Sequence, residues 1–278
     1  MSEAVDLERR FGGLARLYGL QGAKNIRSAH VVVVGIGGVG SWAAEALARS
    51  GIARLTLIDL DHIAESNINR QIHALGSTLG QSKVQAMRDR IADINPECHV
   101  RCVEEFVDTA NWPGVAGMEP GHQVAVLDAC DQVKAKTAIA AWALQQRINF
   151  ITVGAAGGKR HAHKVEVDDM AATTHDPLLA QLRYRLRKEH GGARQGKLGI
   201  NCVFSRESVM QPVQQAARID TMQTDALPVV EVQTDSSLNC HGYGSVVSVT
   251  ATFGICAAGW LLDKIADPGF AKYPKITL

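Results

Sequence analysis

Gly35-Ile36-Gly37-Gly38-Val39-Gly40 is the first stretch of this sequence fitted to bind a ligand. This glycine turn stands between a β-branched run, Ala29–Val34, and a helical stretch, Ser41–Ser50. In that setting Gly35, Gly37, Gly38 and Gly40 let the backbone approach a phosphate, and the helix N-terminus adds N–H donors and a positive dipole. Asp59 ends the next apolar run, Arg54–Asp59, where a carboxylate can accept hydrogen bonds from a ribose diol. These residues go as far as a nucleotide held by its ribose, and NAD and ATP both satisfy them. The polar positions that follow favour ATP: Asp61, then Asn69-Arg70-Gln71, then Lys83, then Leu127-Asp128-Ala129-Cys130-Asp131. Hydride transfer needs one or two acids. Nucleotidyl transfer needs cations for a triphosphate and a carboxylate for Mg2+, which takes oxygen ligands. Arg70 and Lys83 supply the cations, and Asp131 is the best placed carboxylate. Asp128 reads equally as a ligand contact or as a residue that caps the next helix or orients its loop.

The elements that must position these residues alternate. Ala29–Val34 is an uninterrupted apolar run, as in a strand buried on both faces. Arg54–Asp59 is a second strand, Gly80–Asn95 a helix closed by Pro96, and Cys98–Val103 a third strand. Gln123–Asp128 is a fourth, with a helix over Val133–Arg147 and a fifth strand at Asn149–Gly154. This order predicts an α/β fold: a Rossmann-like, doubly wound, mostly parallel sheet. Beyond Gly154 the pattern changes to a strand at Lys164–Val167, a helix at Pro177–Lys188, a strand at Ile200–Ser205 and a long polar loop over Met210–Ser237. The expected division is an ATP-binding region, 1–155, and a substrate-side region, 156–278, within one continuous domain.

Composition bounds the function. With 29 Lys+Arg against 28 Asp+Glu the formal net charge is +1, which argues against a general nucleic-acid coat and against DNA as a partner. One local cluster is basic: Arg183, Arg185, Arg187, Lys188, Arg194 and Lys197 oppose Glu189 alone. It is a candidate track for RNA phosphates, against the alternative of a solvated helix face. Lys159, Arg160, His161, His163 and Lys164 form a second basic stretch. The six cysteines form no Cys-x-x-Cys pair, which argues against a tetrathiolate zinc site. Scattered thiols and a charged start at Met1–Arg10 point to the cytoplasm. Ser245–Leu262 carries no charge and matches a membrane span in length, but its Ser, Thr and Gly content favours a buried helix.

Gly35–Gly40, Asp59-x-Asp61, Asn69-Arg70-Gln71, Lys83 and Asp128–Asp131 together resemble the ubiquitin-activating-enzyme superfamily. That superfamily includes the ThiF-like adenylating proteins of thiamine and molybdopterin synthesis. Arg10–Gly19, Gly35–Glu45, Asn69–Leu75 and Gly196–Ser205 are further similar to the tRNA threonylcarbamoyladenosine dehydratases. The resemblance implies the superfamily's C-terminal extension, a homodimer, ATP and Mg2+, and tRNA bearing threonylcarbamoyladenosine next to the anticodon. The threonine carboxylate would attack the α-phosphate and release pyrophosphate. The side-chain nitrogen would then close a ring and expel AMP. By the same resemblance Asp59 holds ribose, Arg70 and Lys83 bind phosphates, and Asp131 holds Mg2+. Relatives often carry an N-terminal arginine that reaches the partner subunit's ATP, and Arg10 or Arg16 would have to serve here. The alternative is an activator of a sulfur-carrier C-terminus, working with a cysteine desulfurase or sulfur acceptor. It needs a working thiol, and Cys240 is the candidate. A nicotinamide oxidoreductase would leave Arg70 and Lys83 without a role.

Overall fold

The computed structural model describes residues 6–118, 124–211 and 243–267. Cys240 and most of the polar stretch Met210–Ser237 lie outside the described residues. The strands are β1 (His30–Val34), β2 (Arg54–Ile58), β3 (His99–Val103), β4 (Val124–Asp128), β5 (Asn149–Val153), β6 (Val165–Asp169) and β7 (Asn201–Ser205). The helices are α1 (Leu7–Phe11), α2 (Gly13–Ile26), α3 (Gly40–Arg49), α4 (Lys83–Ile94), α5 (Val133–Gln146), α6 (Pro177–Glu189) and α7 (Val247–Ala266).

The seven strands form one sheet in the order β3-β2-β1-β4-β5-β7-β6, parallel except for β6 against β7. β1 is wholly apolar after His30 because it is buried on both faces. Val31 and Val33 join Leu47, Leu55, Leu57, Phe253 and Leu261 on one face. Val32 and Val34 join Val126, Ile139, Phe150 and Leu182 on the other. The helices α3, α4 and α7 thus cover one side, and α5 and α6 the other.

Strand order reverses between β1 and β4, the place where open α/β sheets bind ligands. Val34 pairs with Ile58 on one side and with Asp128 on the other. Asp59, Gly35 and the loop from Ala129 therefore leave the sheet side by side. The sheet does not stop at residue 155: β7 pairs with β5 in parallel, and β6 closes the edge. The uncharged segment Ser245–Leu262 becomes the core of α7, with Val249, Phe253, Ala257, Ala258, Leu261 and Ile265 fully buried. Its approach to α3 requires Gly254, since a Cβ there would lie 2.9 Å from Ala43 N and 3.0 Å from Trp42 Cβ.

Candidate active site

A cavity of about 370 Å³ opens at the carboxyl ends of β2, β1, β4 and β5, within the range of small-molecule sites. Gly35, Gly37, Gly38, Asp59, Asp61, Arg70, Gln71, Lys83 and Asp131 all line it. Sequence spacing separated these residues by almost a hundred positions, and the parallel register brings them together.

Each is held by its element. Gly35 has φ 85, and a Cβ there would sit 2.9 Å from the backbone of Ala129 and Cys130, so the turn needs glycine. Gly38 leaves room for the Arg70 side chain, whose Cγ would lie 3.3 Å from a Cβ. Gly37 faces open space. Gly40 does not line the cavity; a Cβ on it would strike the Gly35 carbonyl, so it closes the turn.

Asp59 ties the turn to β2. Its carboxylate accepts from Ile36 N at 2.6 Å and from Asp61 N at 2.9 Å. Burial pushes its pKa up, against the pull of Lys83 and the two N–H groups. Lys83, the first residue of α4, is buried; its ammonium bonds Asp61 at 2.6 Å and stands 3.9 Å from Asp59. Arg70 is also buried, donating to the Ser66 carbonyl and, at 2.9 Å, to Asn69 Oδ1. Its own carbonyl accepts from Trp42 Nε1 of α3 at 2.9 Å and from Thr250 Oγ1 of α7 at 3.5 Å. Asn69 itself does not line the cavity; its amide donates to the Ser245 carbonyl at 3.1 Å, just ahead of α7. Gln71 lines the cavity, and its buried Oε1 has no partner among the described residues.

Asp131 is exposed at the mouth. Asp128 lies beneath it, fully buried, and settles the open choice in favour of loop orientation. Its Oδ1 accepts from Cys130 N at 3.1 Å, while Gln132 is the N-cap of α5. Its Oδ2 accepts from Lys136 Nζ at 2.9 Å and Thr152 Oγ1 at 2.7 Å. Sequence reading missed Lys136 and Thr152. The signal was there for Lys136: it shares an apolar helix face with Ile139, Ala140 and Ala143.

The basic cluster lies elsewhere, and none of its residues lines the cavity. Arg183 is half-buried and spent on the Met170 and Thr173 carbonyls and Thr173 Oγ1. Arg187 donates to the Ala193 carbonyl. Lys188, Arg194 and Lys197 are exposed, Lys188 over the Tyr184 ring. Lys159, read as part of a basic stretch, is buried. Arg10 is committed to the carbonyls of Asp93 and Ile94 at the end of α4, while Arg16 is exposed. The thiols of Cys98, Cys102, Cys130, Cys202 and Cys256 are all pushed up by burial, Cys98 to about 12. None of these five has the lowered pKa of a nucleophilic thiol.

The ThiF family matches residues 10–275 of this chain. The chain is 43% identical over 260 residues to the tRNA threonylcarbamoyladenosine dehydratase of Escherichia coli, covering 92% of this chain and 93% of that protein. It is 38% identical over 268 residues to the Haemophilus influenzae protein of the same name, covering 95% and 96%. A crystal structure of the E. coli tRNA N6-threonylcarbamoyladenosine dehydratase TcdA in complex with ATP aligns with a TM-score of 0.79 at 40% identity, covering 95% of this chain and 97% of that one. The matched span runs from the N-terminal helices through the glycine turn, Asp59, Arg70, Lys83 and Asp131 to α7 and beyond, and the chain belongs to the ThiF family.

Proposed function

We propose that this chain is an ATP-dependent enzyme that dehydrates N6-threonylcarbamoyladenosine in tRNA to its cyclic form by adenylating the threonine carboxylate. The observation that carries the reading is the near-full-length similarity to two dehydratases. The cavity supports it, since the groups an adenylation needs converge there.

ATP enters as a co-substrate. Asp59 holds the ribose, and the turn Gly35–Gly38 lets the phosphates approach backbone. Arg70 and Lys83 carry the charge that grows on the phosphates as the carboxylate attacks and pyrophosphate leaves. The threonylcarbamoyl nitrogen then attacks the activated carbonyl and AMP departs. Mg2+ fits the donor set, because it is held through one or two carboxylates plus substrate phosphates and keeps several waters. Asp131 and Glu105 are both exposed carboxylates of the cavity not paired with Lys83; Asp131, on the β4 loop beside the glycine turn, would hold the ion, while Glu105 follows β3 on the far side of β2. When bound, the ion neutralises the phosphates; orientation and cationic stabilisation come from the chain itself.

The tRNA runs over the exposed cations Lys188, Arg194 and Lys197, while Arg183 and Arg187 stiffen that surface rather than contact RNA. A homodimer is supported by exposed apolar side chains on the outer face of α2 and α7: Leu17 at 75%, Leu20 at 85% and Ile255 at 53% exposure. A cytoplasmic location is consistent with α7, which is apolar enough to span a membrane but packs into the core. The sulfur-carrier alternative is disfavoured by the near-full-length similarity to dehydratases; its candidate thiol, Cys240, lies outside the described residues.

The deciding experiment is mass spectrometry of nucleosides from tRNA incubated with the protein and ATP. Conversion of threonylcarbamoyladenosine to a product lighter by one water, with AMP released, is expected. AMP release that depends on a carrier-protein C-terminus and leaves tRNA unchanged would replace this reading with the sulfur-carrier one.

A further inference from the structure

We propose that Lys159 is a positioning residue for the acyl half of the substrate, its buried ammonium pinning the cavity wall that follows β5. The inference rests on the adenylating reading above.

The sheet order fixes which wall this is. With ribose at the end of β2 and phosphates over the turn after β1, the attacking carboxylate must come from the side of β4 and β5. That side is lined by Asp131 from the β4 loop, Gly154, Ala155 and Ala156 after β5, and Leu178 of α6. Cys130 and Gln132 of the β4 loop line it too, but Gly154, Ala155, Ala156 and Leu178 offer only backbone and aliphatic surface. Their use to a substrate lies in where they are held.

Lys159 holds them. It is 2% exposed, and its ammonium donates to the carbonyls of His175 at 2.9 Å, Ser205 at 3.4 Å and Glu207. Three donors meet three carbonyls, which uses the whole capacity of the group. The carbonyls come from two segments distant in sequence, the entry to α6 and the exit from β7. Burial pulls the ammonium's pKa down, with Asp176 and Glu207 opposing.

Two buried carboxylates flank the pin. Asp176 caps α6 through Leu179 N at 2.9 Å and also accepts from Ala155 N at 2.9 Å. A Cβ on Gly154 would strike Asp176 Oδ2, so the strand exit and the cap are fitted to each other. Glu207 accepts from Arg160 N at 3.0 Å and His161 N at 2.9 Å. His175, whose carbonyl Lys159 binds, has φ 57, an uncommon conformation for a residue with a side chain. Segment 154–161 is thus tied at each end by a carboxylate and in between by one ammonium. Without the ammonium the carbonyls are left buried and unpaired, and the wall between the carboxylates loosens.

The test is Lys159→Ala. ATP affinity, measured by calorimetry, should stay near that of wild type, while kcat/KM for tRNA falls about 10- to 100-fold, the scale of a wall displaced by about an ångström. Ammonium or methylammonium should restore activity to the variant and leave wild type unchanged. Tetramethylammonium, which has no N–H to donate, should not. Unchanged kcat/KM, or a loss shared equally by ATP binding and not restored by either amine, overturns the proposal. If Lys159→Ala does not fold, Lys159→Gln decides: its amide donates two hydrogen bonds, so a smaller loss confined to tRNA is expected, and no loss or an equal loss of ATP affinity overturns the proposal. Wild-type protein that forms no cyclised nucleoside in the same assay counts against the dehydratase reading instead.

Discussion

On the proposed reading Lys83 is a cation kept ready for phosphate without being left bare. Its ammonium is shared between Asp61 and Asp59. Asp61 is exposed and gives the charge up at little cost when an anion arrives. Replacing Lys83 or Arg70 by Ala should slow formation of AMP and cyclised nucleoside on the order of 10²–10³-fold, the scale of a lost donor to developing charge. Normal turnover by either variant would remove both from the mechanism. Asp131→Ala should lose activity through failed Mg2+ binding, whereas Cys240→Ser should keep most of it. The nucleophile for ring closure is already tethered to the activated carboxyl, so a thioester would add a step without solving a difficulty. A folded, ATP-binding but inactive Cys240→Ser variant would contradict this. His73 sets a different dependence. It is 2% exposed, with neither ring nitrogen partnered, and burial beside Lys83 and Arg90 lowers its pKa to about 4. Its folded pKa lies below the unfolded value, so the stability it contributes is present above about pH 6.5 and lost as pH falls towards 4. At pH 5 this amounts to about 2 kcal/mol. Urea unfolding at pH 8 and pH 5 should show that loss in wild type and a smaller one in His73→Phe. Equal pH sensitivity in both would remove His73 as the cause.

At the scale of elements, α7 does more than fill the core. It packs on α3 through Gly254, and Thr250 reaches the Arg70 carbonyl. Gly254→Ala should cost about 1–3 kcal/mol by overpacking. Because α3 begins at Gly40, the same change should weaken ATP binding as well as stability. A drop in the urea midpoint with unaltered ATP affinity would show the two to be separate. The strands were readable wherever burial on both faces forces a continuous apolar run, as in His30–Val34 and Val124–Asp128. The expected limits differ from the observed ones by one or two residues, except that α4 starts at Lys83 rather than Gly80 and α7 runs on to Ala266 rather than Leu262. The antiparallel direction of β6 was not legible. Val165–Asp169 is a half-buried edge bearing Glu166, Asp168 and Asp169, and its pairing with β7 depends on how the chain reverses through α6. Among site residues, Asp59, Asp61, Arg70, Gln71, Lys83 and Asp131, which line the cavity, followed from type and spacing. Those that hold them from beneath, Lys136, Thr152 and Lys159, did not. Their partners are a strand-end carboxylate or carbonyls far along the chain; the apolar helix face marks Lys136 as buried, but no local pattern names the partner of any of the three.

For the whole molecule, the exposed apolar side chains of α2 and α7 should bring two copies together. Leu20→Glu is expected to shift sedimentation from dimer to monomer, and untagged protein should be recovered without detergent. A monomeric wild type would leave that face unexplained. The position of α7 also governs the order in which the enzyme becomes itself. Synthesis runs from the N-terminus, and domains generally fold as units as they emerge. Here the glycine turn and Asp59 emerge early, but α7, which covers their face of the sheet and braces Arg70, emerges some two hundred residues later. Until then β1 and α3 have one apolar flank bare. A nascent chain cannot hold ATP firmly until α7 has emerged and docked, and so it cannot act on tRNA before then. Chaperones that shield apolar surface have that interval in which to act.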